Sequence, residues 1–231
     1  MAALRGLLLL TLLQACVALE LQVSPSQQVL RGSDVHLGCT FSVVDPSVKP
    51  SYFSAIWYFK GRQIVTYDNI GLSVQPRMSF NGQAAGDGDV SLNISNVAVS
   101  DDGTYTCSVI YNMERKEKDV RLRIMVSPLV TVDQVSSNGQ ITLLCMATGF
   151  FPPDIEIKWI KNEKVLPRSD LSEITRSEDL TYSAKGSFTF SPKEDDWNGT
   201  FFCRVRHFSL QEPLLKDLQL LHPGIHPYSN M

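Results

Sequence analysis

Apolar and polar residues alternate along this chain in short runs, each closed by turn-forming residues. "VHLGCTF" from Val35 and "ITLLCMA" from Ile141 alternate into a cysteine, as a strand with one buried face should. "AIWYF" and "EIKWI" then supply a tryptophan, Trp57 eighteen residues beyond Cys39 and Trp159 fourteen beyond Cys145. "GTYTCSV" and "GTFFCRV" carry the next cysteines, Cys107 and Cys203, at separations of 68 and 58. The pattern predicts two similar halves built of strands, joined at Met125-Val126-Ser127-Pro128, with Pro128 ending the last strand of the first. The longer first interval leaves room for extra strands, among them "QIVTYD".

The N-terminus breaks this pattern. "MAALRGLLLLTLLQACVALE" sets Arg5 before an apolar run from Leu7 to Leu13, with Cys16 and Ala18 as small residues at −3 and −1 of a cut before Leu19. Such a segment is a secretory leader, too short in its apolar part to span a bilayer. Its removal takes Cys16 with it and leaves Cys39, Cys107, Cys145 and Cys203. An even count in an oxidising compartment implies disulfides, and four cysteines allow three pairings. After Leu221 only "HPGIHPYSNM" follows, with two prolines and no apolar run. A membrane helix needs about 20 apolar residues. The chain as written is therefore expected to be secreted or extracellular, and a cell-surface type I membrane protein if a longer or spliced form exists.

Charge removes further classes. A net charge of −3, a pI near 5.8 and the lack of any Lys/Arg block argue against nucleic-acid binding through a basic surface. The most basic stretch, Glu114 to Lys118 ("ERKEK"), mixes its signs and is expected at a solvated hairpin tip. There is no nucleophile elbow, paired-histidine motif or phosphate-cradling loop, so neither an enzyme nor a cofactor is expected. His207 is expected to be structural. His222 and His226 lie four apart, yet "HPGIHP" cannot form the helix that would make them converge on a metal. Asp87 and Asp89 in "GDGDV" are expected in a turn rather than around calcium. Asn93 ("NIS") and Asn198 ("NGT") are glycosylation acceptors in a chain that carries a leader.

Two repeats of Cys…Trp…Cys among short strands resemble the immunoglobulin sandwich. The resemblance implies an all-β fold of two tandem sandwiches and the pairings Cys39–Cys107 and Cys145–Cys203, with a tryptophan against each bridge. The expected divisions are 1–18 leader, 19–126 variable-type (V-set) domain, 127–221 constant-type (C1-set) domain and 222–231 tail. The first half resembles the V-set in its extra strands and in "DDGTYTC", which places Tyr105 for a tyrosine corner. The second resembles the C1-set at Cys145, Gly149, Phe150, Pro152, Trp159, Cys203, Val205 and His207. It departs at Phe201, which stands where a corner tyrosine would be; Trp197 is expected to fill that space.

A V-set domain followed by a C1-like domain resembles the butyrophilin-like costimulatory ligands (the B-seven family), the signal-regulatory proteins and tapasin. "GDVSLNISNV", "GTYTCSVI" and "CRVRHFSLQEPLLKDLQL" resemble the natural-killer ligands of the first group. That resemblance implies an extracellular ligand for a lymphocyte or natural-killer-cell receptor of the immunoglobulin superfamily. The alternatives are a tapasin-like chaperone of antigen-presenting molecules, and a soluble decoy or signal-regulatory-type ectodomain.

Strand parity names a face. If Trp57 and Cys107 point into the core, Ile56, Tyr58, Thr106, Ser108 and Ile110 point outward on one sheet. Tyr67 on the neighbouring strand is expected beside them, and the hairpin tip adds Tyr111, Met113 and Arg115. Apolar and aromatic residues on a face that should meet water mark a protein contact.

Overall fold

The computed structural model describes residues 19–43, 50–167 and 171–221, which form strands, turns and three helical turns of three or four residues. The leader, the tail and both of the tail's histidines lie outside the described residues.

In the first sandwich, β1 (Leu19–Val23) pairs antiparallel with β4 (Cys39–Val43). The chain then changes sheets, and β2 (Gln27–Leu30) runs parallel to the end of β11 (Glu114–Met125). The change falls at Pro25, which has no N–H for a ladder. Beside it the Ser24 hydroxyl takes over as acceptor for the Gly38 N–H, at 2.8 Å. Besides the β1–β4 pair, a three-stranded sheet has the order β3 (Val35–Leu37), β9 (Leu92–Ile94), β8 (Met78–Phe80). A six-stranded sheet has the order β2, β11, β10 (Gly103–Tyr111), β5 (Phe53–Phe59), β6 (Arg62–Asp68), β7 (Leu72–Val74). Thus "QIVTYD" is a strand of this sheet, and all of "ERKEK" lies within β11 rather than at a tip; the turn is Asn112–Met113.

Cys39 and Cys107 form one disulfide. Trp57 is fully buried and donates its Nε1–H to the Val90 carbonyl at 2.7 Å, so the indole meets its one polar need inside the core. The Tyr105 hydroxyl donates to the Asp101 carbonyl at 3.0 Å, closing the expected tyrosine corner. Leu37, Leu92, Ile94, Leu122 and Ile124 are fully buried too. Each such side chain contributes about 1.5–3 kcal/mol of transfer free energy.

The second sandwich has one sheet ordered β12 (Leu129–Ser137), β13 (Gln140–Phe150), β17 (Tyr182–Phe190), β16 (Leu171–Arg176). The other is ordered β15 (Lys164–Val165), β14 (Ile155–Lys161), β18 (Thr200–His207), β19 (Leu214–Gln219). A two-residue turn at Asn138–Gly139, with φ of 50° and 75°, joins β12 to β13 as the sequence "NG" demands. Cys145 and Cys203 form the second disulfide, packed with Trp159, Leu143, Phe150, Ile157, Phe201 and Val205. Trp197 packs at the edge of this core. The polar tie that a corner tyrosine would make comes instead from Lys161. Its ammonium sits 5.0 Å from the Phe201 ring centroid and forms an ion pair with Asp196.

Candidate receptor-binding face

Alternation along β5 and β10 sends Ala55, Trp57, Cys107 and Val109 inward, all at 0% exposure. Ile56, Tyr58, Thr106 and Ile110 fall on the outward side, partly exposed. Ser108 shares that side but is fully buried, because the Arg115 side chain lies over it. Arg115 Nε donates to Ser108 Oγ at 3.2 Å and Nη2 to the Tyr58 hydroxyl at 3.4 Å. The same guanidinium pairs with Glu117, and that hydrogen bond and charge raise its titration further above the ordinary arginine range. One strand on, Thr106 Oγ1 donates to Asp119 at 2.7 Å. An apolar patch of Ile56, Tyr58 and Ile110 therefore borders a row of charged groups already held by partners. Ordering such groups before binding lowers the entropic cost of contact.

Beyond the sheet, Met113 is 99% exposed at the turn between β10 and β11. Asn112 takes the φ of 56° that this turn requires. Its Oδ1 accepts from Ser51 N at 2.8 Å and Ser51 Oγ at 3.1 Å, and its N–H donates to the Tyr52 carbonyl at 2.8 Å. The turn is thus fastened to the segment entering β5.

Two residues expected on this face point the other way. Tyr67 stands opposite Ala55 in register, on the inward side. Its ring lies 6.0 Å from Phe53 and 5.4 Å from Phe80, and a Cβ at Gly82 would approach that ring to 2.9 Å. Tyr111 continues the inward series of Cys107 and Val109, is 7% exposed, and packs 6.1 Å from Phe41 and 6.5 Å from Phe53. Parity alone places Tyr111 inside once the turn is known to begin at Asn112. The outward surface is therefore Ile56, Tyr58, Ile110, Met113 and Arg115, with Ser108 beneath it. Sequence reasoning missed Glu117 and Asp119. The signal was present in "ERKEKDVRLRIM", where Arg115, Glu117, Asp119 and Arg121 alternate against Val120, Leu122 and Ile124.

Asn93 is exposed on β9, in the sheet that does not carry this face, with Oδ1 2.8 Å from His36 Nδ1. Asn198 is exposed in the turn before β18. Asp89 accepts from Ser91 N at 3.0 Å and from Ser91 Oγ, as a turn residue does. Among the described residues no group of three or more His, Cys, Asp or Glu side chains gathers as for a metal. No helix among them is long and apolar enough to cross a membrane.

His207 is occupied at both nitrogens. The Ser209 N–H donates to Nδ1 at 3.2 Å, which fixes the neutral tautomer whose Nε2–H donates to the Pro152 carbonyl at 2.9 Å. Burial lowers its titration, outweighing the Pro152 carbonyl and Asp154, which favour the cation. The unfolded chain takes up this proton near pH 6.5 and the folded chain only at lower pH. Stability of the second domain is therefore fully present above that value and declines as pH falls through it toward the lowered folded value. Urea midpoints measured from pH 7.5 to 5 should fall, and His207→Gln should flatten that decline; an unchanged slope would remove His207 as its source.

These two sandwiches define an immunoglobulin-type chain. The V-set domain model ("Immunoglobulin V-set domain") matches residues 22–125 and the C1-set model ("Immunoglobulin C1-set domain") residues 126–210. The chain belongs to the immunoglobulin superfamily, with a V-set domain followed by a C1-set domain. It is 29% identical over 220 residues to human tapasin-related protein, covering 89% of this chain and 46% of that one. It is 28% identical over 143 residues to human natural cytotoxicity triggering receptor 3 ligand 1, covering 58% of this chain and 32% of the relative. The chain thus spans less than half the length of these curated relatives. The crystal structure of bovine butyrophilin superposes with a TM-score of 0.69 at 18% identity, covering 88% of this chain and 99% of that one, which shows the shared fold.

Proposed function

We propose that this chain is an extracellular immune ligand that engages an immunoglobulin-type receptor on lymphocytes or natural killer cells. The contact is the outward β5–β10–β11 face of its V-set domain. The observation that carries the reading is the apolar patch of Ile56, Tyr58 and Ile110 beside the tethered Arg115. These are the residue types that dominate protein contacts, on a sheet face that otherwise meets water. Two further features support it. The Asn93 acceptor belongs to a different sheet, so a glycan there leaves this face open, and the chain is 28% identical over 143 residues to a natural cytotoxicity triggering receptor ligand. The leader makes the protein secreted or surface-displayed, with glycans on Asn93 and Asn198.

Tyr58→Asp combined with Ile110→Lys is expected to weaken binding by about 30-fold or more, the effect of losing a hot spot worth about 2 kcal/mol. Secretion should be unchanged, because neither side chain enters the core. The measurement is binding of the purified mature chain to cells displaying natural cytotoxicity receptor three, costimulatory receptors or antigen-presenting molecules, one per cell line. Full binding by the double variant sinks the face.

A second reading is a tapasin-like chaperone of antigen-presenting molecules, favoured by similarity to tapasin-related protein over 89% of this chain. Binding to antigen-presenting molecules alone, insensitive to the double variant, selects that reading. A soluble decoy would bind the same receptor as the ligand without activating the cell that carries it.

A further inference from the structure

Strand β1 starts at Leu19, and its register with β4 starts there too, Leu19 opposite Val43. The Leu19 side chain is 2% exposed and Leu21 is 4% exposed, so the core reaches the first described residue. The backbone nitrogen of Leu19 donates to Glu114 Oε2 at 3.1 Å, across a separation of 95 residues. Oε1 of the same carboxylate pairs with Lys116 Nζ at 3.2 Å. The cut expected from Cys16 and Ala18 in the leader pattern frees this nitrogen and makes this strand start a chain end.

We propose that Glu114 is the docking site of the mature N-terminus, holding the Leu19 α-ammonium after residues 1–18 are removed. The inference rests on the leader reading and is independent of the receptor reading. In the cut, water adds to the Ala18 carbonyl carbon, catalysed by the leader peptidase of the export membrane. The bond to the Leu19 nitrogen breaks, leaving a carboxylate on Ala18, and the released amine takes up a proton. An amide N–H···O⁻ bond, charge-assisted through its acceptor alone, thereby becomes an ammonium–carboxylate pair in which both partners carry charge. Chain ends fray unless tied down, and the pair ties the start of β1 to the start of β11. Lys116 on the other oxygen keeps Glu114 turned toward this site.

The full chain is secreted from cells as wild type and as Glu114→Gln, and the N-terminal peptide of each is identified by mass. The expected start is Leu19. The rate at which a succinimidyl ester acylates that α-amine at neutral pH is then measured. A free α-amino group titrates near pH 7.7–8.0, and each unit by which pairing raises that value lowers the reactive fraction tenfold. Glu114→Gln should therefore label about tenfold faster than wild type. Should that variant fail to be secreted, a glycine inserted between Ala18 and Leu19 moves the charge outward, leaves Glu114 intact and should show the same acceleration. A start at any other residue overturns both the leader cut and the docking. A start at Leu19 with equal labelling in wild type and variants overturns the docking alone and leaves the leader reading standing.

Discussion

Gly186→Ala is expected to destabilise the second domain by about 1–3 kcal/mol, the usual cost of forcing a methyl group into a packed core. Gly186 lies opposite Cys145 in the β13–β17 register, beside the disulfide. A Cβ built there would stand 2.5 Å from Ile157 Cγ2 and 3.1 Å from Ile157 Cβ, on the facing sheet. Ile157 is 1% exposed and packed in the core, so it cannot swing out into solvent to make room. The test is a double-mutant cycle in the full chain, read by urea denaturation and by hydrogen exchange of β13 and β17. Ile157→Ala alone should cost about 2–5 kcal/mol as a cavity. The double variant should cost clearly less than the sum, because the new methyl group occupies the space the isoleucine vacates. Additive costs would mean that the backbone moves aside and that contact with Ile157 does not select glycine.

The second large effect is expected at the corner that lacks a tyrosine. Lys161 and Asp196 pair with side chains only 14% and 17% exposed, and Asp196 also accepts from Lys193 N at 2.6 Å. Burial pushes the Asp196 carboxyl up. The Lys161 hydrogen bond, the Lys193 N–H and the charges of both lysines together outweigh that effect and hold it below the ordinary carboxylate range. Lys161→Met keeps the stem against Phe201 and deletes the charge, leaving a half-satisfied carboxylate at a cost of about 1–3 kcal/mol at neutral pH. The sign with pH follows from the lowered value. The carboxylate's stabilising contribution is present above its unfolded value near 3.9 and is lost as pH falls through the lower folded value. Wild type and Lys161→Met should thus differ most at pH 7 and converge in strong acid. Equal denaturation midpoints at pH 7 would show that the pair contributes nothing there, as many exposed ion pairs do.

Much of this protein is written in short-range patterns. The alternation into Cys39, Cys107, Cys145 and Cys203, with a tryptophan after the first of each pair, locates the strands that cross each core. The reason is that period-two burial is a property of neighbouring residues. For the same reason Ile56, Tyr58 and Ile110 were legible as outward residues from the inward positions of Trp57 and Cys107. Tyr105, two residues before Cys107, announced its corner.

Parity fails where the sequence does not say where counting begins. Tyr67 was misplaced because its strand's register depends on an irregularity between Trp57 and Tyr58. Tyr111 was misplaced because the turn starts at Asn112, fastened there by Ser51 and Tyr52 from a distant segment. Contacts between distant residues were not legible at all. Ser108 disappears under an arginine from the next strand, and Lys161 reaches Asp196 to replace a tyrosine hydroxyl. Gly186 is glycine because Ile157 crosses from the opposite sheet, and Glu114 meets a nitrogen 95 residues away. The sequence by itself determined the strands that cross each core and one side of the candidate face. The pairing of the four cysteines came from the resemblance to the immunoglobulin sandwich and is seen in the structure. Only the tertiary structure decided which outward residues stay exposed, because exposure depends on what distant side chains lie across them.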